Sequence, residues 1–311
     1  MVGEVNAFDG TDRDLLQTIL PIASKTHKGF QTCFFNSRSF SGTKRDYMNF
    51  VLKSTKIDVI CVAETWFNED YNDSVLELNQ YNLIRNDRKT GSRGGGVAMY
   101  VRKCFQYKVI FRSDTSDPVE YLFVEIFDSM QKCLIVCVYN PHKSFDLSNF
   151  FVKLSEYCVQ FKHIILCGDL NIDLSEYDSY SKNLNDKFVS VGLSKINHMP
   201  TRFSPNSKPS LLDVLCVADL EYLVHFEQLS LHGISDHDML FMVYNIDYNR
   251  SNNETTVRFR DFKNIDCESL LAEAASLPWN DCWFFSDVDS KVEHFTNLVN
   301  YLLINMCQLK F

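Results

Sequence analysis

Short apolar runs rich in β-branched side chains recur along the chain, and polar or turn-forming residues bound each of them. Runs of this length without helical spacing are typical of buried β-strands. Two of them follow each other closely enough to predict a hairpin, Tyr121–Phe127 with Cys133–Tyr139. The predicted strands, by residue number, are 57–63, 95–101, 121–127, 133–139, 163–167, 211–217 and 239–246.

Between the strands, apolar residues recur in steps of three and four, which is the spacing of one helix face. Ser148 stands just ahead of the first such stripe and is its predicted N-terminal cap. Strands with helices between them favour an α/β architecture of two packed β-sheets flanked by helices. The two stripes consist of Phe151, Leu154, Cys158 and Phe161, and of Leu184, Phe188 and Val191.

The alternation of strands and helices occupies residues 30–247, which we interpret as one domain. Residues 1–29 are polar and irregular, and 248–256 form a polar linker. Residues 257–311 keep a helical spacing but have few strand signals, so they predict a short helical appendage.

Composition limits the class of protein. An apolar share of 45% in 311 residues is ordinary for a packed globule. The 11 cysteines are scattered without a Cys-x-x-Cys pair, which favours reduced core thiols. No secretory signal and no apolar stretch of about 18 residues is visible, so the sequence predicts an intracellular protein with no membrane partner.

The net charge of -9 argues against a nonspecific polyanion binder, because affinity for a phosphate backbone comes mainly from Lys and Arg. The charge is unevenly distributed, however. Residues 36–108 carry 12 basic and 8 acidic side chains, whereas residues 261–311 carry 3 basic and 8 acidic ones. Nucleic-acid binding by the first part of the chain therefore stays open.

Polar side chains stand where several of the predicted strands end. Glu64 follows strand 57–63, Asn36 ends a short apolar run, and Tyr139 closes strand 133–139. A carboxylate at the open end of a sheet suits a hard cation, and an amide beside it can support that ligand. Taken singly, Glu64 also fits an exposed strand end, Asn36 a turn, and Tyr139 a sheet edge.

Two acidic segments add to this set, Gly168-Asp169-Leu170-Asn171 and Ser235-Asp236-His237-Asp238. Asp169 and Asn171 alternate about Leu170, so both can face one way while Leu170 faces the core. Asp213 lies inside a strand-like run, where a buried acid needs a partner, and His237 is the natural one. Alone, the first segment fits a plain turn equally well.

Taken together, these residues supply what hydrolysis of a phosphodiester needs. A carboxylate can serve as the base, a carboxamide can orient the water, and an Asp-His pair can neutralise developing charge. The combination of strand-end residues therefore predicts a metal-assisted phosphodiesterase.

At these positions the chain resembles the endonuclease/exonuclease/phosphatase superfamily, and specifically the apurinic-endonuclease-like domain of non-LTR retrotransposons. The resemblance covers about residues 30–247 and follows the order of the family's blocks. The matching blocks are Asn36-Ser37-Arg38-Ser39, Ala63-Glu64-Thr65-Trp66, Arg93-Gly94-Gly95-Gly96-Val97-Ala98-Met99-Tyr100-Val101, Tyr139-Asn140-Pro141, Gly168-Asp169-Leu170-Asn171, Thr201-Arg202, Leu212-Asp213 and Ser235-Asp236-His237.

The resemblance implies a four-layered α/β sandwich of two packed mixed β-sheets, as in DNase I. It also implies a Mg²⁺ ion, with Mn²⁺ as a substitute, held by Glu64 with the support of Asn36 and with Asp236 nearby. The family's catalytic roles fall on five residues: Asp169 activates water, Asn171 orients it, Tyr139 and His237 stabilise the phosphorane, and Asp213 holds His237.

By the same resemblance, DNA is the expected partner, and nuclear access follows from that function, with the cytoplasm as the alternative. The Gly94-Gly95-Gly96 block lacks the Gly-Lys-Ser/Thr of a nucleotide loop, so we interpret it as a turn in which Arg93 contacts DNA. Residues 203–209 correspond to a hairpin that enters DNA in relatives. The remaining expected DNA contacts are Lys208 in this hairpin and Thr201 and Arg202 just before it.

Residues 257–311 resemble the linker that precedes a reverse transcriptase, and that domain or the element's RNA would be a partner in a full-length relative. The leading hypothesis is an endonuclease that nicks DNA and leaves a 3'-hydroxyl. Two alternatives stay open. One is hydrolysis of another phosphodiester, such as a phosphoinositide, sphingomyelin or poly(A), and the other is a domesticated, non-catalytic nucleic-acid-binding module.

Overall fold

A computed structural model describes most of the chain. Residues 1–27 of the predicted irregular segment, Arg93, and residues 249–256 of the predicted polar linker lie outside the described residues. Within the described part, no helix combines the length and apolar character that a membrane span requires. The described residues are 28–52, 55–88, 94–114, 116–143, 146–176, 178–205, 207–231, 234–248, 259–260, 266–306 and 309–310.

Among the described residues up to 248, twelve strands build most of the structure. They are β1 (Phe30–Asn36), β2 (Val59–Ala63), β3 (Tyr81–Asn86), β4 (Val97–Arg102), β5 (Gln106–Arg112), β6 (Glu120–Phe127), β7 (Lys132–Tyr139), β8 (His163–Asp169), β9 (Ser194–Lys195), β10 (Asp213–Val217), β11 (Leu223–Leu229) and β12 (Met239–Tyr244). Four helices accompany them: α1 (Gly42–Leu52), α2 (Asp73–Leu76), α3 (Ser148–Cys158) and α4 (Ser179–Ser190).

The strands form two mixed six-stranded sheets, in the orders β11-β12-β1-β2-β4-β3 and β5-β6-β7-β8-β10-β9. The β1–β2 pair in the first sheet and the β7–β8 pair in the second are parallel, and the other neighbours are antiparallel. One apolar cluster joins the facing sides of the sheets, for example Val59 and Val97 with Leu122 and Ile135. The expected α/β fold of two packed sheets flanked by helices is confirmed.

Two outer apolar clusters attach the helices. Met48 and Leu52 of α1 pack on the outer side of the first sheet. Phe150 of α3 and Phe188 of α4 pack on the outer side of the second sheet. α3 and α4 therefore bury the apolar faces that their spacing predicts, α1 buries a face that the sequence analysis did not identify, and the order of layers is helix, sheet, sheet, helix.

The sheet register brings the ends of the predicted strands together. Asn36 at the end of β1 is opposite Ala63 at the end of β2, and Tyr139 at the end of β7 is opposite Asp169 at the end of β8. Asp213, which begins β10, is also paired with Asp169. The carboxyl ends of both parallel pairs therefore carry the polar residues that the sequence analysis selects.

Several predicted boundaries are wrong. The N-cap of α3 is Leu147, not Ser148, because the Ser148 hydroxyl donates to Asp146 Oδ1 at 2.6 Å instead of capping the helix. That helix ends before Phe161. β8 extends beyond Cys167 because Asp169 pairs with strands on both sides, and β10 begins two residues after Leu211.

Contacts between Cα atoms divide the chain into two units, Met1–Ser251 and Asn252–Phe311. The second unit contains α5 (Cys267–Ser276), a 3-10 helix at Trp279–Phe284 and α6 (Val288–Met306), with two-residue strands β13 (Phe259–Arg260) and β14 (Leu309–Lys310). Asp266 caps α5 by accepting from the amides of Glu268 and Ser269. Trp279 joins the two helices, since its indole donates to Ala274 O and its ring lies 5.7 Å from that of Phe295.

No disulfide joins two of the described cysteines, and those within the predicted strands, among them Cys61, Cys137, Cys167 and Cys216, are buried. Cys267 is an exception, because it begins the exposed surface of α5.

Gly168 provides a test of the close packing between β7 and β8. A Cβ at this position would lie 2.1 Å from Val138 O, whereas a Cβ at Gly42 would meet nothing closer than 3.8 Å. We expect Gly168→Ala to lower the free energy of unfolding by about 1–3 kcal/mol or more, because the core cannot make room. Urea denaturation measures this. Gly42→Ala is the matched control and should be neutral or slightly stabilising, and equal effects of the two variants would contradict the expectation.

Candidate active site

Glu64 follows β2 in a left-handed conformation, with φ +51°, which turns its carboxylate toward the neighbouring sheet. The Asn36 amide donates to Glu64 Oε1 at 2.9 Å, and the Tyr139 hydroxyl donates to the same oxygen at 3.0 Å. The Trp66 indole donates to Oε2 at 3.2 Å. Three donors from three chain segments therefore fix one half-buried carboxylate.

Asn36 also connects this carboxylate to Asp169. Its Nδ2 donates to Asp169 Oδ2 at 2.7 Å across 133 residues of sequence, so one amide nitrogen serves a carboxylate of each sheet. Burial, reinforced by the nearby Asp213 charge, raises the pKa of Asp169 to about 7. A carboxylate with this pKa can accept a proton near neutral pH.

Asn171 is held two residues beyond Asp169. Its backbone is left-handed at φ +51°, its amide N–H donates to Asp169 Oδ1 at 2.8 Å, and its side chain donates to Asn140 O at 2.8 Å. Asn140 in turn donates to Leu170 O, and Leu170 is fully buried. The loop after β8 is therefore fixed to the loop after β7, with Leu170 in the core as its alternation predicts.

His237 and Asp213 form a buried pair. His237 Nδ1 lies 2.8 Å from Asp213 Oδ2, and the two side chains are 5% and 0% exposed. Burial lowers the pKa of His237, but the Asp213 carboxylate and its hydrogen bond outweigh this and raise the pKa to about 9. The imidazolium therefore persists at neutral pH and can donate a proton from its second nitrogen.

Thr201 lies beneath this pair. Its hydroxyl accepts from the Asp213 N–H at 3.3 Å, its carbonyl accepts from the Asp238 N–H, and its side chain is fully buried. The structure thus corrects the expectation that Thr201 contacts DNA, because a side chain with no exposed surface cannot reach it. Thr201 instead positions Asp213.

Asp236 lies between two arginines. Arg38 Nη1 is 3.4 Å and Arg202 Nε is 3.5 Å from Asp236 Oδ2. Its other oxygen, Oδ1, is buried and has no hydrogen-bond partner among the described residues, and the same holds for Asp213 Oδ1. A buried acceptor without a donor is costly, so these oxygens favour the approach of a cation or a proton donor.

The oxygen donors at this rim fit a hard divalent cation. Glu64, Asp169 and Asp236 are carboxylates, which Mg²⁺ prefers, and Asn36 supports Glu64 through Nδ2 while its Oδ1 accepts from the Arg38 N–H. Donor atoms of Asp169, Asp213 and His237 also lie within 4.8 Å of one another. A protonated His has no free lone pair, however, so that trio suits proton transfer better than metal ligation.

The remaining expected DNA contacts differ in exposure. Lys208 is exposed, and Arg202 is half-buried with its backbone bridged to Ser210 and His237. Arg93 lies outside the described residues. Between Arg202 and Lys208, the Phe203 ring is 40% exposed beside the Asp236 backbone, to which the Phe203 N–H donates.

Sequence reasoning missed several supporting residues. Trp66 stands in the same block as Glu64, and an aromatic residue directly after a strand end is a usable signal. Ser235 donates to Asn36 O at 2.6 Å, and Arg38 pairs with Asp236, but both contacts join segments about 200 residues apart. No local pattern reveals such contacts.

Residues 33–237 match the Endonuclease/Exonuclease/phosphatase family. The match contains every residue of the site and, apart from the start of β1 and the whole of β12, the strands of both sheets. The chain belongs to this family. Family members are phosphodiesterases and nucleases, and they generally use divalent metals. No curated protein matches the chain.

Solved structures with the same fold include three relevant to this family. The endonuclease domain of TRAS1, a telomere-specific non-LTR retrotransposon, is 13% identical with a TM-score of 0.54, covering 70% of this chain and 100% of that one. The AP endonuclease LMAP from Leishmania major is 14% identical with a TM-score of 0.59, covering 78% and 100%. The 3' phosphatase NExo from Neisseria, bound to product DNA hairpin, is 15% identical with a TM-score of 0.54, covering 70% and 100%.

The His237–Asp213 pair can be tested directly in this family member. Asp213→Asn removes the charge that opposes burial, so we expect the pKa of His237 to fall from about 9 to below its ordinary 6.5. Titration of the His237 Cε1–H resonance by NMR measures it. A raised folded pKa stabilises the protein fully below pH 6.5, and this contribution is lost as pH rises through about 9. An unchanged His237 pKa in the variant would show that Asp213 is not its partner.

Proposed function

We propose that the chain is a Mg²⁺-dependent endonuclease that hydrolyses a DNA phosphodiester bond and leaves a 3'-hydroxyl. The observation that carries the proposal is the shared Asn36 amide, which brings the Glu64 and Asp169 carboxylates together at a rim that also holds the His237–Asp213 pair. A cation site and a proton acceptor thus stand next to a buried cationic donor. These are the parts that phosphodiester hydrolysis requires.

Asp169 takes the proton of the attacking water, for which its raised pKa suits it. Asn171, fixed by its bond to Asn140, orients that water. The Tyr139 hydroxyl and the His237 imidazolium donate to the phosphoryl oxygens, where negative charge grows in the transition state. Asp213 keeps His237 charged and aimed.

Glu64, with Asn36 behind it and Asp236 beside it, would hold Mg²⁺, and Mn²⁺ would substitute. The ion supplies neutralisation of the negative charge that develops on the leaving 3'-oxygen. The protein's own contribution is to keep the Glu64 carboxylate in place through the Asn36 and Trp66 donors, which hold it when the single Tyr139 proton turns from Glu64 to the phosphoryl oxygen.

DNA as the substrate is supported by similarity to an endonuclease domain of a retrotransposon, to an AP endonuclease and to a phosphatase bound to a DNA hairpin. Arg93, Arg202 and Lys208 are the proposed contacts to its backbone. We further propose that residues 30–247 are the catalytic domain and that residues 257–311 resemble the linker to a reverse transcriptase. In a full-length relative, that domain or the element's RNA would be a partner. Action on genomic DNA requires access to the nucleus.

Plasmid nicking tests the catalytic assignment. We expect the purified protein to nick supercoiled plasmid with Mg²⁺, and Asp169→Asn and His237→Ala to lower the rate about 10²- to 10⁴-fold, because each removes proton transfer or charge stabilisation. Asp58→Asn is the matched control for Asp169→Asn. Asp58 is as deeply buried as Asp169, but it precedes β2, whereas Glu64 of the site follows that strand. A DNA polymerase should extend the nicks without prior phosphatase treatment.

Three outcomes would contradict the proposal in different ways. Undiminished nicking by Asp169→Asn would remove Asp169 from the mechanism. Hydrolysis of a phosphoinositide, sphingomyelin or poly(A) in place of DNA would keep the fold and change the substrate. Binding of DNA and Mg²⁺ without turnover would favour a non-catalytic module.

Lys208 offers a test of DNA contact that is separate from chemistry. We expect Lys208→Ala to weaken DNA binding evenly across sequences and to reduce the slope of log K against log salt by about 1, because one phosphate contact is lost. Fluorescence anisotropy at several salt concentrations measures the slope. Lys132→Ala is a control, because Lys132 is the first residue of β7 and Tyr139 is the last, so the two lie at different ends of the same strand. An unchanged slope would exclude Lys208 from the interface.

A further inference from the structure

Arg88 covers one face of the Tyr139 ring. Its guanidinium carbon lies 5.9 Å from the ring centroid, and its Nε donates to Glu120 Oε1 at 2.5 Å. The Arg88 side chain is only 16% exposed. A cation is thus held against the aromatic residue whose hydroxyl donates to Glu64.

Glu120 fixes this arginine from the sheet. It begins β6 directly opposite Tyr139 of β7, and its second oxygen accepts from the Gly96 N–H at 2.5 Å. Burial raises the pKa of Glu120, and the Arg88 charge and hydrogen bond oppose that rise. The Glu120 carboxylate therefore binds both Arg88 and the turn formed by Gly94, Gly95 and Gly96, which we call the glycine turn, next to the end of β7.

The glycine turn encloses Arg88 from the other side. Gly94, Gly95 and Gly96 all have left-handed backbones, and a Cβ at Gly95 would lie 2.3 to 2.4 Å from the Arg88 guanidinium. Gly95 O accepts from the Trp66 N–H at 2.9 Å, and the Trp66 indole donates to Glu64. The turn therefore connects the support of Tyr139 with the support of Glu64.

We propose that Arg88 is a positioning residue that fixes the ring of Tyr139, and so holds its hydroxyl beside Glu64, and that the glycine turn is required because it makes room for this guanidinium. The proposal rests on the proposed function, in which Tyr139 donates to the phosphoryl group. A ring free to tilt would move its hydroxyl away from the reacting oxygen. Replacing Arg88 should therefore weaken stabilisation of the transition state more than it weakens substrate binding, because Arg88 acts through Tyr139.

Arg85 provides a matched control on the same segment. It is 19% exposed and forms two ion pairs, with Asp73 and Asp87, on the edge strand β3. Replacing Arg85 by Lys removes the same guanidinium fork from a similar environment. A purely structural role for Arg88 predicts equal effects of the two replacements.

The kinetic test compares Arg88→Lys and Arg85→Lys in Mg²⁺-dependent nicking by the full chain. We expect Arg88→Lys to lower kcat about 10- to 100-fold with KM changed less than about 2-fold, as a displaced catalytic group does. Arg85→Lys should leave both constants unchanged. Equal effects of the two variants, or a change confined to KM, would overturn the proposal.

Gly95→Ala is a second, independent variant. Gly95 and Gly192 have nearly equal φ values, +71° and +76°, but a Cβ at Gly192 would meet nothing within 4 Å. The backbone strain of an alanine is therefore matched in the two, and only Gly95→Ala displaces Arg88. We expect Gly95→Ala to lower kcat and Gly192→Ala to leave it unchanged, and equal kcat values would contradict the proposal.

A spectroscopic measurement separates this proposal from the proposed function. With 3-fluorotyrosine placed at Tyr139 alone, we expect the ¹⁹F resonance to shift in Arg88→Lys and to stay in Arg85→Lys, whether or not the protein nicks DNA. No nicking by wild type combined with this shift would refute the endonuclease and keep the positioning role. An unmoved ¹⁹F resonance in Arg88→Lys would refute the positioning role itself.

Discussion

The site depends on one amide nitrogen. Asn36 Nδ2 donates to Glu64 in its own sheet and to Asp169 in the facing sheet. Two carboxylates brought together in a buried place repel each other, and a neutral donor shared between them offsets part of that cost without occupying either one fully. The sheets can therefore close over the core while both acids keep oxygens for other partners.

Buried charges are also stabilised by a shared hydrogen bond around His237. Burying either His237 or Asp213 as a lone ion would be costly, whereas the hydrogen-bonded pair keeps both charged in a nearly dry position. Asp169 lies close to both residues, so the Asp213 charge raises its pKa and the His237 charge lowers it. The pKa values of Asp169 and His237 are thus set together, because the packing of the two sheets brings both residues close to the Asp213 carboxylate.

Much of the fold follows from local pattern. Each of the seven predicted runs corresponds to a strand whose ends lie within two residues of the predicted ones, because alternation and β-branching are local. Those strand ends located Glu64 and Tyr139 and came within two residues of Asp169. Ser148 was assigned wrongly because Asp146 competes for its hydroxyl. The burial of Thr201 was missed because its partners Asp213 and Asp238 lie on other segments of the chain. Arg88 escaped notice for the same reason, since its partners Glu120 and Tyr139 become neighbours only when the second sheet forms.

The first and last strands of the larger unit are neighbours, for β1 pairs with β12 from Phe30 opposite Tyr244 onward. The strand that carries Asn36 thus has β2 on one side, and its other side is covered by the strand that follows His237. A growing chain on the ribosome holds every other part of the site before that final strand emerges, and such long-range pairing is slow to form. The first sheet therefore gains the neighbour that flanks the Asn36 strand on this side only after residues 30–244 have all left the ribosome.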